Sequence, residues 1–392
     1  MERTPSAAGS RATVRPPILN PPRRDTGRLR LAGGALPLVG PARMYVCGIT
    51  PYDVTHLGHA ATFVWADAAA GVMRMTGVDV VTVRNVTDVD DVLTHAAVAR
   101  GRYYDEFALS QEFLFDRDMS ALRVRRPTHV PHARHHVGRV VELALALLAR
   151  GAAYERDGYV YFRGGEVPGR AGLSREAALT ASAQFNDHPD DPNRDDPFDV
   201  PVWQPSGEDD PAWPSPWGWG RPGWHAECAA MAMAVLGPVV DVLAGGTDLA
   251  YPHQAYQAAM VEVATGAHPF ARARLPVGTV TVDGEKMAKS TGNLVLVGDL
   301  MDEAPAAAIR LLLLDRPWGA SWGYTPAALQ AAAARVERLY AAAGSAQSST
   351  NGAAEAVRQA LLDDLDVPTA LDVAEESGGD AARLLLRTLA LD

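Results

Sequence analysis

The sequence predicts an α/β protein with a doubly wound parallel sheet, an inserted subdomain and a C-terminal helical bundle. Three observations carry this. Residues 44–86 read as strand, glycine-bearing turn, helix, strand, which is a βαβ unit. The same alternation returns over residues 225–282, after a stretch rich in Pro, Asp, Trp and Gly. Beyond Trp318 the chain becomes Ala-rich, with acidic and apolar positions interleaved as in a small helical bundle.

Taken in order, residues 1–28 are rich in Arg, Pro, Ser and Ala and hold no apolar run, so they read as a disordered tail and not as a secretory signal. Pro16, Pro17, Pro21 and Pro22 break any amphipathic transit helix there. A strand-like piece at 29–39 leads to a buried strand at 44–49. The run 60–75 is helical, Gly77 closes it, and 78–86 alternates as a second strand. Helices are expected at 91–99, 103–119 and 136–150, then a hairpin over 153–162 turning at Asp157-Gly158. Residues 168–222 suit irregular loops better than regular core. Next come a helix at 225–236, a strand at 239–244, a turn at Gly245-Gly246, a helix at 253–265 and strands bracketing 275–282. A helix at 326–343, a low-complexity linker at 344–352 and two more amphipathic helices finish the chain. The domain limits that follow are a tail at 1–28, a catalytic unit at 29–316 with an insertion at 153–222, and a helical unit at 317–392.

Hydrophobic residues make up 47% and charged residues 21%, enough for a sizeable core. The net charge of −11 weighs against a large polyanion as partner, because phosphate binding draws on clustered Lys and Arg. Two cysteines, Cys47 and Cys228, form no disulfide framework and suit a reduced, cytoplasmic setting. No apolar run approaches the roughly 20 residues that span a bilayer, so no membrane partner is expected.

Two strings carry phosphate chemistry. In His56-Leu57-Gly58-His59 two imidazoles flank a glycine, just past a strand and ahead of a helix. A helix start offers N–H groups and a positive dipole end to an anion, and the histidines can donate to phosphate oxygens as charge builds. Alone, the string fits an ordinary helix start equally well. Lys286-Met287-Ala288-Lys289-Ser290 follows a turn at Asp283-Gly284; two lysines three apart on such a loop can close over a triphosphate. A solvated basic loop is the plainer reading. Together, at opposite ends of an α/β unit, the two strings are far more specific than either.

Cys47, Cys228 and His253 are zinc-ligand types, and three protein ligands leave one position open for a substrate thiolate. By spacing alone they fit buried structural residues as well, since there is no CxxC pair. His129, His132, His135 and His136 lie in a Pro-flanked segment without Cys or carboxylate at ligand spacing and read as a solvated helix start. The Trp213, Trp217, Trp219 and Trp224 group reads mainly as bracing for the Pro-Gly loop. Asn85-Val86-Thr87-Asp88-Val89-Asp90-Asp91 suits both a helix cap and a substrate-facing loop.

The strings MYVCGITPYDVTHLGHA, NVTDVDD, GRPGWHAEC, GGTDLAYPH and DGEKMAKSTGN resemble the landmarks of cysteinyl-tRNA synthetases and of their shorter relatives, the mycothiol cysteine ligases. The latter join cysteine to the amine of glucosaminyl-inositol. The resemblance runs from residue 29 to the end, with the motifs in the family's order. It implies a class I synthetase Rossmann-type core, ATP as co-substrate with Mg2+, and a bound zinc ion (Zn2+). By position, Cys47, Cys228 and His253 match the zinc ligands. His56, Gly58 and His59 match the first ATP signature, and Lys286 and Lys289 the second; His56, His59, Lys286 and Lys289 are the implied catalytic residues. Cys47, Gly48, Ile49, Thr50, Thr62, Asn85, Val86, Thr87, Trp224, Gly246, Thr247, Asp248 and Val280 match positions lining the cysteinyl-adenylate. The implied chemistry has two steps: the carboxylate of L-cysteine attacks the α-phosphate of ATP, then an acceptor captures the mixed anhydride.

Three features favour a small amine over tRNA as that acceptor. The modest helical region at the end leaves no room for an anticodon-binding module, and the balance of charge is acidic. Third, Gln257 stands where the tRNA enzymes have a Glu near the metal. The expected partners are therefore L-cysteine, ATP and an amino sugar-inositol, acted on by a monomer. Truncated tRNA charging, transfer to another amine, and a zinc-stabilised pseudoenzyme are the alternatives; intact HLGH and KMAKS oppose the last. The chain departs from the ligase pattern in two places. Asp187-His188-Pro189-Asp190-Asp191-Pro192 replaces Glu-Arg-Gly-Gly-Asp-Pro, with Asp195-Asp196-Pro197 lacking the usual basic residue. Gln254 and Ala255 replace a His and a Glu.

Overall fold

A computed structural model describes residues 29–52, 54–185, 187–208, 210–287, 291–345 and 352–392. The expected tail at 1–28, most of the linker and Lys289 lie outside these residues. The expected strand at 29–39 is instead folded back on itself. β1 (Arg30–Leu31) and β2 (Gly34–Ala35) pair antiparallel around Ala32 and Gly33, both with positive φ.

β3 (Ala42–Ile49), α1 (Leu57–Met75) and β4 (Val80–Val86) form the anticipated βαβ unit, with Met44 opposite Thr82 in parallel register. α2 (Asp91–Val98), α3 (Tyr104–Ala121) and α4 (Val137–Ala149) follow close to their expected bounds. The insertion is more regular than its composition suggests. β5 (Ala153–Arg156), β6 (Tyr159–Phe162), α5 (Val167–Arg170), α6 (Arg175–Gln184), β7 (Val200–Pro205), β8 (Trp213–Ser215) and β9 (Gly218–Pro222) build an antiparallel sheet in the order β5-β6-β7-β9-β8. Three of its four strand prolines sit where a strand tolerates them: Pro205 and Pro222 end their strands, and Pro214 lies on the edge strand β8, while Pro201, second in the central strand β7, lies at a register shift in the β6–β7 pairing.

α7 (Trp224–Leu236), β10 (Val240–Gly246), α8 (Ala255–Thr265) and β11 (Ala271–Val277) then complete a parallel sheet ordered β11-β10-β3-β4. Gly245 and Gly246 belong to β10, and a wide π-type turn over Ala250–Gln254 delays α8 beyond His253. The chain leaves β3 toward β4 and returns on the other side at β10. The carboxyl ends of β3 and β10 therefore flank the topological switch point, where open α/β sheets bind ligands. A small sheet of β12 (Val280–Val282), β13 (Glu285–Lys286) and β14 (Trp322–Gly323) continues from it.

α9 (Val297–Glu303), α10 (Ala306–Leu314) and α11 (Pro326–Ala343) lead into the C-terminal helices. Three helices follow the linker where two were expected: α12 (Ala353–Leu362), α13 (Val367–Ser377) and α14 (Gly379–Thr388). The extra break has local causes. The Asp366 side chain caps the Thr369 N–H, Pro368 starts α13, and Gly378 takes a φ of 61° between α13 and α14.

Period-two alternation along β3 divides the interior. Met44 and Val46 face a core made with α1, α10, α11 and the C-terminal helices, whereas Tyr45 and Cys47 face a second core made with α4, α7, α8 and the inserted sheet. Arg310, fully buried on α10, joins three parts of the first core. It donates to Asp67 Oδ2 on α1 (2.8 Å), the Leu122 carbonyl (2.9 Å) and the Leu389 carbonyl (2.8 and 3.0 Å). Among the described residues no helix is long and apolar enough to cross a membrane.

Candidate active site at the carboxyl end of the sheet

The ends of β3, β4, β10 and β11 open into a cleft of about 1040 Å³. His56 caps α1 in an extended conformation, and its Nδ1 accepts the Gly58 N–H at 3.1 Å. That bond places the proton of the neutral ring on Nε2. The His56 and His59 rings stack with centroids 3.8 Å apart. A Cβ on Gly58 would lie 3.0 Å from His56 Cε1 and 3.6 Å from Met287, so the glycine leaves room for both the capping ring and the KMAKS methionine. Backbone bonds from Leu57 N to Val295 O (2.8 Å) and from Val297 N to Thr55 O (3.2 Å) stitch the HLGH turn to the segment after KMAKS. Lys286 Nζ pairs with Asp248 Oδ2 at 2.5 Å; the lysine is largely in solvent and the aspartate is partly buried.

The floor of the cleft holds the thiols. Asn85 accepts the Gly48 N–H on Oδ1 (2.9 Å) and donates from Nδ2 to Cys228 Sγ (3.3 Å), so one side chain ties β3 to α7. Gly48 is obligatory here, because a Cβ would fall 1.7 Å from the Asn85 carbonyl oxygen. Cys47 Sγ accepts from Gln254 Nε2 at 3.6 Å. Burial pushes the Cys47 thiol up to about 12 and the Cys228 thiol well above its ordinary range. Burial and neighbouring His225 hold His253 well below the usual imidazole value, hence neutral.

A relay fixes the tautomer of His253. Asp187 accepts from His225 Nε2 (3.1 Å), so His225 presents an unprotonated Nδ1 to His253 Nδ1 at 3.0 Å. His253 must donate across that bond, which leaves the lone pair on its Nε2. Trp224 stacks on His253 with centroids 4.1 Å apart, and Phe185 stacks on Trp224.

Cys47, Cys228 and His253 thus line one cavity, as their ligand chemistry requires. Among the described residues, however, no three His, Cys, Asp or Glu side chains are gathered closely enough to hold a metal. Each member of the triad is held by its own neighbour: Cys47 by Gln254, Cys228 by Asn85 and His253 by His225. The donor types still fit zinc, being two thiols and a neutral imidazole. Cys47 Sγ in turn donates to Gln257 Oε1 at 3.9 Å.

The inserted sheet forms the far wall, which the sequence reading missed. Tyr159, Tyr161, Asp187, Asp191, Arg194 and Gln204 line it. Tyr161 donates to Asp191 Oδ2 (3.2 Å), and Arg221 holds Asp91 with two bonds of 2.6 and 3.0 Å. Asp90 caps α2 through Val92 N (2.9 Å) and also lines the cleft, where burial raises its carboxyl to about 6.

Of the residues singled out in the sequence, Cys47, Gly48, Ile49, Thr50, His56, His59, Thr62, Asn85, Thr87, Trp224, Cys228, Gly246, Asp248, His253, Val280 and Lys286 meet in this cleft. Val86 does not: its side chain is buried behind the sheet's end. Thr247 is exposed at the start of a 3-10 turn. His132 of the dense histidine segment pairs with Glu112 at 2.9 Å, away from the cleft.

Residues 39–334 match the family of tRNA synthetases class I (C) catalytic domains. The chain belongs to the class I synthetase family, among its mycothiol cysteine ligases. It is 42% identical to the L-cysteine:1D-myo-inositol 2-amino-2-deoxy-alpha-D-glucopyranoside ligase of Kribbella flavida, over 96% of each chain. It is 44% identical to the ligase of the same name from Thermomonospora curvata, over 84% of this chain and 81% of that one. Among solved class I synthetases, the Mycobacterium tuberculosis methionyl-tRNA synthetase with methionyl-adenylate shares the fold. Its TM-score is 0.65 at 16% identity, over 90% of this chain and 89% of that one. Use of ATP is expected of a class I synthetase, and this chain is an enzyme of the ligase class.

Proposed function

We propose that the chain activates L-cysteine with ATP as cysteinyl-adenylate and transfers the cysteinyl group to the amine of glucosaminyl-inositol. The observation that carries this is one cleft holding the HLGH turn, Lys286 and the two-thiol floor together. In the first step a cysteine carboxylate oxygen attacks the α-phosphorus, the bond to the β-phosphate oxygen breaks, and pyrophosphate leaves. His56 donates from Nε2, beside His59 and the positive end of α1, to the oxygens gaining charge. Lys286 exchanges Asp248 for phosphate oxygens, an inexpensive swap for a lysine whose side chain is largely in solvent; Lys289 shares this task, and magnesium enters with ATP as part of the substrate. In the second step the amine attacks the acyl carbon, AMP leaves, and the amine loses a proton. Cys47, Cys228 and His253 would hold a zinc ion, which would supply an open position for the substrate thiolate and so separate cysteine from serine. The free thiols support a cytoplasmic setting, and the acidic charge supports a reaction independent of tRNA.

One observation favours a second reading, transfer to a different amine. Asp187 and Asp191 belong to the stretch that departs from the ligase pattern, and both stand on the wall facing the cleft, engaged with His225 and Tyr161. Cysteine-dependent ATP–pyrophosphate exchange, followed by mass spectrometry of products from a panel of amines, tests both. Exchange without amide on glucosaminyl-inositol removes that acceptor. Absence of exchange in metal-replete protein removes the activation step.

A further inference from the structure

The activation step leaves one carboxylate of the cleft unused. Asp90 stands where α2 begins, three residues beyond Thr87, and lines the cleft. Only one of its oxygens is spent: Oδ1 accepts the Val92 N–H at 2.9 Å, and Oδ2 has no hydrogen-bond partner among the described residues. Oδ2 is not sealed from solvent, so a ligand in the cleft can reach it. The neighbouring carboxylates are engaged. Arg221 holds Asp91, His225 holds Asp187 at 3.1 Å, and Asp191 accepts from Tyr161 and from the Asn193 N–H. Arg221 and His225 are close enough to act on Asp90, but each is spent on its own partner. Burial is the main influence that raises the Asp90 carboxyl to about 6; Asp91 adds to the rise, and His225 and Arg221 oppose it. At neutral pH it is therefore ionised, with a basicity close to that of an effective general base.

A carboxylate without a counter-ion repels the phosphates of ATP and AMP and attracts a cation. The proposed reaction has two cations, the α-ammonium of cysteine and the ammonium of the acceptor. Only the acceptor must shed a proton to react. Asp90 also joins the inserted-sheet wall, through the adjoining Asp91–Arg221 pair, and not the thiol floor.

We infer that Asp90 is a catalytic residue of the second step, its Oδ2 binding the primary ammonium of the acceptor and taking a proton from it. This rests on the acceptor reading given above. The ammonium gives one proton to Oδ2, which releases it to solvent. The freed lone pair then forms the C–N bond to the acyl carbon, while the C–O bond to AMP breaks and AMP keeps the electron pair. The second N–H proton, acidic once the C–N bond has formed, leaves through the same oxygen.

The test separates the two steps in the full chain with Asp90→Asn. Asparagine keeps an oxygen to cap α2 and removes the proton acceptor. Cysteine-dependent pyrophosphate exchange and its KM for cysteine should be unchanged, whereas amide formation with glucosaminyl-inositol should fall at least about a hundredfold. Hydroxylamine, uncharged at neutral pH, needs no base and should capture the adenylate as cysteinyl hydroxamate equally fast in both proteins. Should a lowered Tm show that asparagine disturbs the fold, Asp90→Ser, which also caps a helix well, takes its place. Amide formation unchanged in the variant would overturn the inference. So would a raised KM for cysteine in exchange, which assigns Asp90 to the α-ammonium of cysteine, or hydroxamate capture falling as far as amide formation, which makes the residue structural. A wild-type chain that exchanges pyrophosphate but forms no amide with any amine would instead remove the acceptor reading, and this inference with it.

Discussion

Replacing Arg310 by Met tests how the C-terminal helices are fastened to the sheet. The wild-type guanidinium is wholly buried and spends its donors on Asp67, Leu122 and Leu389. Methionine keeps most of the volume and removes the charge. Asp67, 3% exposed, then keeps only Arg125, which is itself partly in solvent, and two buried carbonyls lose their donors. Breaking one side of a buried pair costs about 3–5 kcal/mol. Because Arg125 still neutralises Asp67, the lower end applies, about 3 kcal/mol. That is a large fraction of a total stability of about 5–15 kcal/mol. Urea unfolding followed by tryptophan fluorescence measures it; buried Trp65, whose Nε1 donates to the Leu313 carbonyl three residues from Arg310, is a local reporter. Adding Asp67→Asn to the variant removes the stranded carboxylate and should recover part of the loss. A loss below about 1 kcal/mol would contradict a buried charge hub, and a double variant no better than the single one would show that Asp67 was never stranded.

Four further outcomes are expected. Gly58→Ala should slow pyrophosphate exchange with little change in Tm, since alanine is otherwise about 1 kcal/mol better in a helix; unchanged exchange would refute the need for space beside His56. Asn85→Ala leaves the Gly48 N–H and the Cys228 thiol without their partner, costs about 1–3 kcal/mol and should raise the KM for cysteine in the exchange assay. Cys228→Ala should lose bound zinc by elemental analysis; full metal content would discard the ligand set. The Glu112 hydrogen bond raises the His132 pKa, so its contribution is fully present below the unfolded value near 6.5 and fades as pH rises through the folded one. Glu112, held low by His132 against the opposing effect of burial, keeps its charge down to mildly acidic pH. His132→Gln should therefore lose about 0.5–1 kcal/mol at pH 5.5 and much less at pH 8.5, by urea titration; equal losses would refute the pairing.

The sheet was legible because period-two alternation and glycine turns are local signals, and β3, α1 and β4 fall within a few residues of their expected bounds. HLGH was legible for the same reason: capping is decided within one helical turn. Of the inserted sheet only the β5–β6 hairpin was legible, through its Asp157-Gly158 turn. The other strands carry Pro201, Pro205, Pro214 and Pro222, which locally argue for loops, and only their pairing makes them strands. The far wall of the cleft was missed with them. The relay from Asp187 through His225 to His253 joins residues 38 and 28 positions apart, and no spacing rule announces it. The wide turn over Ala250–Gln254 defeated the helix pattern in another way, since Tyr251 takes an extended conformation (φ −140°, ψ 135°) inside an otherwise helical run.

The division of the interior by β3 has a consequence for how such a protein changes over generations. Cys47, Cys228 and Tyr251 are rooted in one core, whereas Leu57, Phe63, Val280 and Met287 around the HLGH and KMAKS segments are rooted in the other. On the proposed function, mutations that repack the first would reshape the pocket for the amino acid and leave the nucleotide side undisturbed. A lineage can therefore alter what it activates while keeping, unchanged, the means of activating it.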